Sequence, residues 1–497
     1  MTAPIAPREV ERFRAAIGRH TGLQFDDARL GFLSEVLQRR LTRLGRPGEA
    51  YLHALEHDPP PGEIGALARE VTVAETYFFR NGDQFRALAE RVLPERMQIE
   101  RPGRTLSLLS AGCASGEEAY SLAITAREAI PDPSWEIRIR AVDLNPAGLE
   151  KAARGRYSAW ALRDTPPAAQ RKWFRPDGAD QILDDAIRRA VRFEARNLAV
   201  EDPELWSPGT YDVVFCRNVL MYFAPERMVA AIGRIAQALA PGGFLFLGHA
   251  ETLRGVSDDF HLCHTHETFY YQRKDGTEPI VRRPPISAGA DRAVATIVEY
   301  DGAWVDAIRT ATERVASLVP GVDARIATVP AWDPAPALDL LRHERFAEAL
   351  SHVQARPSDQ VADPDVLLLE AMLLTHGGQL ADAEITCGKL LALDELNAGA
   401  HYVLALCREH AGDGIAAAEH DRVAAYLDPG FAMPRLHLGL MARRVGDREA
   451  AQRELTQALF LLEREDAARL LLFGGGFNRD TLVKLCDQAL RDSGGRS

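Results

Sequence analysis

The chain predicts an α/β fold, a doubly wound Rossmann-like sheet, with a small helical domain before it and an all-α array after it. Three observations carry this. Strand-like and helix-like segments alternate from Arg104 to about Lys274. The first ninety-odd residues show only helical spacing, and beyond residue 330 small residues recur with a period of 34.

Helical patterns such as REVERFRAAIGRHTGL and RLGFLSEVLQRRLTRLG fill the N-terminal region, read as residues 1–95. Its segment QRRLTRL places Arg39, Arg40 and Arg43 within a turn of one another on a helix. Two readings fit this basic patch: a docking surface for an acidic partner, or a solvated face balanced by Glu35 and Glu49.

In the middle region, residues 96–274, the segments TLSLLSA, IRIRAVD, VRFEARNL, YDVVFCRN, FLFLGHAE and TFYYQR read as strands separated by helices. That order predicts an open, mainly parallel sheet with helices on both faces. Ligands of such sheets bind outside the strand carboxyl ends. Gly112, Asp143, Asn197 and Asn218 all lie just past such ends, so four strands point at one pocket.

The turn SAGCASGEEAYSLA separates the possible cofactors. Gly112 and Gly116 bend it and let backbone approach a ligand. A phosphate-cradling loop needs a lysine at the helix start, whereas Glu117 and Glu118 stand there and repel phosphate. A dinucleotide turn needs a third glycine that G-C-A-S-G lacks. Two carboxylates suit S-adenosylmethionine, which carries an ammonium and a sulfonium. Asp143, ending the next strand, is placed to accept from both ribose hydroxyls.

Composition narrows the setting. A net charge of −12 argues against general nucleic-acid binding, which needs a basic footprint. Only five lysines occur, the rest of the basic charge being arginine, which with the alanine richness points to a GC-rich bacterial source. Neither a run of about twenty apolar residues nor the basic flank and apolar core of a signal peptide is present, so a cytoplasmic protein without membrane insertion is expected. Six cysteines without CxxC pairing read as reduced packing residues. His261, His264 and His266 in HLCHTHE are read as incidental, and no metal is assigned.

Residues 275–330, which contain EPIVRRPPISAGAD, read as a linker. From 331 to 465, Gly378, Gly412 and Gly446 are spaced by 34, as are Ala349, Ala383, Ala417 and Ala451, and Asp394 and Asp428 keep the interval. This is the tetratricopeptide period, which implies a concave face for a protein partner. Residues 466–497 read as a capping helix after a glycine turn, and a tail.

The segments VTVAETYFFRN, SAGCASGEEAYSLA, AVDLNPAGLEKA, FEARNL, FCRNVLMYF and PGGFLFLGHAE follow one another over residues 8–273 in the order of one family. The chain resembles the CheR chemotaxis-receptor methyltransferases. The resemblance implies an S-adenosylmethionine-dependent enzyme that methyl-esterifies glutamates on the cytoplasmic helices of bacterial chemoreceptors, tuning chemosensory signalling. It implies cofactor contacts from Thr76, Arg80, Glu118, Asp143, Asn197 with Leu198, and Asn218 with Val219, to which the glycine turn adds Gly112. Arg80 and Tyr222 are the residues it offers for steering the acceptor, Asn218 suits the adenine, and Phe78 and Phe79 are expected to wall the pocket from water.

Two departures stand out. Ala74 occupies the place of a family asparagine that touches cofactor, with Glu75 a neighbouring substitute. The resemblance also implies a small antiparallel subdomain inserted at about residues 157–192, whose hairpin loop, RPDGADQ, is shorter than in members that grip a receptor tail, so the repeats are the expected substitute for tail tethering.

Two other classes compete. A non-catalytic S-adenosylmethionine-sensing scaffold predicts degraded acceptor groups, but Arg80 and Tyr222 are present. A small-molecule methyltransferase predicts a closed lid and no dependence on Arg39, Arg40 and Arg43.

Overall fold

Ten strands are found among the described residues: β1 (Thr105–Ala111), β2 (Glu136–Asp143), β3 (Arg156–Ser158), β4 (Phe174–Asp177), β5 (Asp180–Leu183), β6 (Val191–Ala195), β7 (Tyr211–Cys216), β8 (Leu239–Leu247), β9 (Phe260–Thr265) and β10 (Thr268–Arg273). The computed structural model describes residues 5–72, 75–99, 103–249, 251–274, 333, 335–343, 345–356, 363–474 and 477–494. The chain divides into two units near residue 280. The expected linker, and Ala74, lie outside the described residues.

Seven strands form one sheet in the order β6-β2-β1-β7-β8-β10-β9. The first five run parallel, and β10 and β9 close the edge antiparallel. All six side chains of central β7 are buried, as befits a strand covered on both faces. Strand β9 was not expected from the sequence. Its residues after Phe260 are only partly buried, so it lacks the apolar alternation that marks the others. His261 and His264 lie on this edge strand and His266 on the turn after it, where it contacts Glu90 at 3.1 Å.

Four helices make the N-terminal cluster: α1 (Pro7–Thr21), α2 (Leu30–Leu44), α3 (Gly48–His57) and α4 (Glu63–Val71). Phe13, Ile17, Leu33, Leu37, Leu52 and Leu67 are fully buried in its core. Arg40 belongs to that core and not to a surface patch. Its guanidinium meets both oxygens of Glu63 at 2.9 and 2.5 Å, and Tyr51 donates to the same carboxylate at 2.7 Å. Arg39 pairs with Glu70 at 2.8 Å, while Glu49 is held by Arg12. The basic patch therefore reduces to Arg43 and a neutralised Arg39, because two of the arginines found carboxylates across the helix pair.

Residues 82–95, grouped by sequence with these helices, pack instead in the sheet's core through Phe85, Leu88, Val92 and Leu93. Here α5 (Gly82–Ala87) and α6 (Leu93–Met97) are joined by a π turn, and Phe85 stacks on Phe215 at 5.5 Å. Helices α7 (Glu117–Ala129) and α8 (Pro146–Arg154) follow β1 and β2. The inserted subdomain is present as a three-stranded antiparallel sheet, β3-β5-β4, with α9 (Pro167–Trp173) and α10 (Asp185–Arg189). Helix α11 (Pro225–Ala238) leads into β8.

In the second unit, helices Pro364–His376, Ala398–His410 and Ala432–Val445 each pair with a following helix, Leu380–Leu393, Gly414–Leu427 and Arg448–Leu462. Corresponding helices start 34 residues apart. The periodic residues have distinct jobs. Gly378, Gly412 and Gly446 carry φ of 72, 81 and 83°, a left-handed turn that glycine enters without strain. Ala383, Ala417 and Ala451 are fully buried where the paired helices cross. The expected cap and tail resolve into two helices, Ala467–Phe473 and Arg479–Gly494. No helix among the described residues is long and apolar enough to cross a membrane.

Candidate active site

The ten residues expected to touch cofactor or steer the acceptor, Thr76, Arg80, Gly112, Glu118, Asp143, Asn197, Leu198, Asn218, Val219 and Tyr222, line a single cavity at the carboxyl ends of the parallel strands. The site lies where open α/β sheets bind ligand, at the point where strand order reverses between β1 and β7. Its opposite wall comes from the N-terminal helices: Thr21, Leu23, Gln24, Phe25, Arg29, Val71 and Thr72.

The floor is the turn after β1. Gly112 has φ 84°, and a Cβ on it would stand 2.3 Å from Val219 Cγ2, so only glycine lets the two loops close together. A Cβ on Gly148 of α8 would meet Ala114 O at 2.6 Å, which lets that helix press against the turn. From the inserted subdomain, Tyr157 donates to Ser115 O at 2.8 Å. The subdomain thus braces the floor from behind.

Asp143 closes β2 and accepts backbone N–H bonds from Ala114 at 2.8 Å and Asn145 at 2.7 Å, one per carboxylate oxygen. The four lone-pair sites of the carboxylate leave room for a ligand hydroxyl beside these donors. Burial raises its pKa and those backbone donors oppose the shift.

Glu118 faces the cavity. Ser110 donates to its Oε1 at 2.8 Å, and Arg217 stands 3.6 Å from its Oε2. Burial pushes the Glu118 carboxyl above its ordinary value, with Arg217 pulling it back. Glu117, weighed with it as a cofactor ligand, points away from the cavity. It is buried against Ser115 at 2.7 Å and Lys151 at 3.4 Å, because successive helix residues face different sides.

Asn218 has φ 55°, and Glu251 holds it there. The Glu251 carboxylate accepts from the N–H groups of Asn218 (2.7 Å), Val219 (2.9 Å), Met221 (3.3 Å) and Gly248 (2.8 Å). Tyr222 ends the short 3₁₀ turn that follows, and its carbonyl accepts from Gln24 N–H at 2.8 Å. Asn197 serves the same seam: its amide donates to His20 O at 2.7 Å and accepts from Ala199 N–H at 2.9 Å.

Arg80 ends the segment Glu75–Arg80. Among the described residues its guanidinium has one hydrogen bond, to Glu75 O at 3.3 Å, and no carboxylate partner. Its carbonyl accepts from Arg217 at 2.6 Å. Phe78 and Phe79 do not wall the cavity. Phe78 packs edge-on against Tyr157 and Phe174, and Phe79 against Phe85, so both anchor the segment in the core. Apolar lining comes instead from Phe25, Phe85 and Phe223.

Sequence reasoning missed Arg217, Glu251 and the helical-domain wall. Arg217 stands within the FCRN motif, where a charged residue after a fully apolar strand is a visible signal. Glu251 ends PGGFLFLGHAE with the same signal. The chemistry of the lining fits S-adenosylmethionine: a partly buried carboxylate for the ammonium, a second at the ribose position, and no lysine to attract phosphate.

Comparison with known proteins agrees. The profile of the CheR methyltransferase SAM-binding domain matches residues 74–269. Chemotaxis protein methyltransferase 2 of Vibrio cholerae serotype O1 is 35% identical over 270 residues, covering 53% of this chain and 93% of that protein. The chemotaxis protein methyltransferase of Klebsiella aerogenes is 33% identical over 264 residues, 52% and 88% respectively. The probable biofilm formation methyltransferase WspC of Pseudomonas aeruginosa is 27% identical over 444 residues, covering 89% of this chain and 96% of that protein, so that likeness extends into the repeats. The chain is a methyltransferase that uses S-adenosylmethionine, and it belongs to the CheR family of chemotaxis protein methyltransferases.

Proposed function

We propose that this enzyme methyl-esterifies glutamate side chains on the cytoplasmic helices of a bacterial chemoreceptor, and that its repeats recruit a protein partner. The observation that carries the substrate class is Arg80: an arginine lining the cavity with a single backbone hydrogen bond and no carboxylate partner among the described residues. A planar guanidinium in that state suits an incoming carboxylate, which it binds through charge-assisted hydrogen bonds. Tyr222 lines the same cavity and supplies an O–H donor for the second oxygen.

When bound, S-adenosylmethionine supplies an electrophilic methyl group on sulfur. Glu118 would hold its ammonium, Asp143 its ribose hydroxyls, and the Asn218–Val219 turn with Leu198 its base. A glutamate carboxyl, with pKa about 4.3, is ionised at neutral pH and needs no general base. What the chain contributes is orientation of that carboxylate, and positioning of this kind supplies roughly 7–11 kcal/mol for well-oriented pairs. Such receptor helices lie in the cytoplasm, and we assign the enzyme to that compartment.

Transfer of labelled methyl from S-adenosylmethionine to a chemoreceptor cytoplasmic fragment from the same organism tests this. Label released as methanol in alkali, and absent with Arg80→Ala, is the expected result. Cofactor binding without label on any of a range of receptors would instead favour a sensing scaffold.

A further inference from the structure

The helix Ala467–Phe473 does not take the next place in the repeat stack. That place, against Arg448–Leu462, is taken by Arg479–Gly494, whose Cys486 is fully buried with its Sγ 3.1 Å from Leu455 O. Ala467–Phe473 instead touches the first helices of consecutive repeats, the helices that line the inner face of such superhelices. Phe473 meets Tyr402 at 5.8 Å and Phe431 at 4.9 Å, both edge-on. The carbonyl of Leu472 lies 3.2 Å from His376 Nε2. Leu470, Leu472 and Phe473 are buried there, and Arg469 pairs with Asp428 at 3.1 Å while lying over the Phe431 ring at 4.4 Å.

The groove has a notch for this ring. Gly399 stands buried in the first turn of helix Ala398–His410. A Cβ at that position would stand 2.8 Å from Leu368 and 3.1 Å from the Phe473 ring. The segment itself is seven residues long, too short to be a stable helix alone, and Gly474 follows it. Its helicity therefore depends on the groove.

We propose that Ala467–Phe473 is an intramolecular occupant of the repeat groove, and that the partner recruited by the repeats is a short helix of the same chemistry that binds by displacing it. The displacing helix carries an arginine followed by leucine, then leucine and phenylalanine two and three residues further on. This rests on the recruiting role proposed above for the repeats. Segment release is read on the chain alone, so it fails or succeeds independently of receptor methylation. A tethered occupant competes at an effective concentration of the order of millimolar, which keeps the groove closed to weak ligands.

The test uses the full chain and a fluorescein-labelled peptide with the sequence of residues 465–474. The double variant Arg469→Ala, Phe473→Ala empties the notch, and it is expected to bind the peptide at least about tenfold more tightly than the unaltered chain. Adding Gly399→Leu to that variant should abolish the gain. Equal binding by both chains, with the variant's helical circular dichroism and cooperative unfolding retained, overturns the proposal. Should the variant not fold, hydrogen exchange on the unaltered chain decides. Amides 467–473 exchanging faster than 398–410 support release, whereas exchange in step with 398–410 makes the segment a permanent part of the core.

Discussion

The carboxylate of Glu251 lies beneath Asn218 and holds that residue in a left-handed conformation by accepting its N–H at 2.7 Å. A buried acid thereby sets the loop that forms the cavity wall after β7. It accepts four backbone N–H groups, and burial raises its pKa against the pull of those donors.

Glu251→Gln should therefore be costly although nearly isosteric. The amide presents donors to donors, and each buried N–H left unsatisfied costs about 1–3 kcal/mol. We expect about 2–4 kcal/mol of lost stability in denaturant titration and at least tenfold weaker cofactor binding by calorimetry. Unchanged stability would remove its role as the loop's support.

Glu118→Gln tests the ammonium contact. A charge-assisted hydrogen bond contributes about 1.5–3 kcal/mol, so affinity for S-adenosylmethionine should fall roughly 10- to 100-fold. Sinefungin, which keeps the ammonium, should weaken in parallel, and a ligand lacking the amino group should not.

Arg80→Ala should lower methyl transfer at least about 100-fold, and Arg80→Lys should restore only part of it because a point charge cannot engage both carboxylate oxygens in a fork. Single-turnover rates on a receptor fragment would show this. Full activity in the alanine variant removes the assigned role.

Gly112→Ala introduces a Cβ 2.3 Å from Val219 Cγ2 at φ 84°. The left-handed backbone costs about 1–2 kcal/mol and the overlap about 1–3 kcal/mol. Thermal unfolding should show the loss, and a variant of unaltered stability would mean that the two loops part easily.

The repeats should weaken in acid. His401 lies 3.1 Å from His420, nitrogen to nitrogen, and burial depresses its pKa from 6.5 to about 4. The unfolded chain takes up this proton near pH 6.5 and the folded one only near 4. Stability is thus present above 6.5 and lost as pH falls through about 4, by about 2 kcal/mol after allowing for solvent access. His401→Gln should flatten the dependence of unfolding on pH over that window, and an unchanged slope would assign it elsewhere.

The motifs at strand ends were legible because chemistry there is written in single residues: Gly112, Asp143 and Asn218 each stand at or just past a strand end, and all three line the cavity. Long-range pairing was not legible. Arg40 spaces like a surface arginine, and only the approach of Glu63, 23 residues on, makes it a core group. Glu117 and Glu118 look alike in sequence, and the rotation of one helical residue sends the first to Lys151 and the second to the cavity. Strand β9 escaped because an edge strand need not be apolar. The 34-residue period gave the repeats outright, but periodicity carries no information about a segment that leaves the stack, as Ala467–Phe473 does.

Asn197 reaches His20 across 177 positions, and Gly22 sits so close to Ala199 that a Cβ would lie 2.3 Å from it. These contacts order events during synthesis. The N-terminal helices leave the ribosome first, yet the surface they must meet is translated roughly 10–40 s later at usual elongation speeds of about 5–20 residues per second. Leu23, which forms an antiparallel bridge with Phe223, lacks that partner until the segment after β7 arrives. The newborn chain is therefore most vulnerable to aggregation in that interval, and slow codons placed between the two stretches would lengthen it.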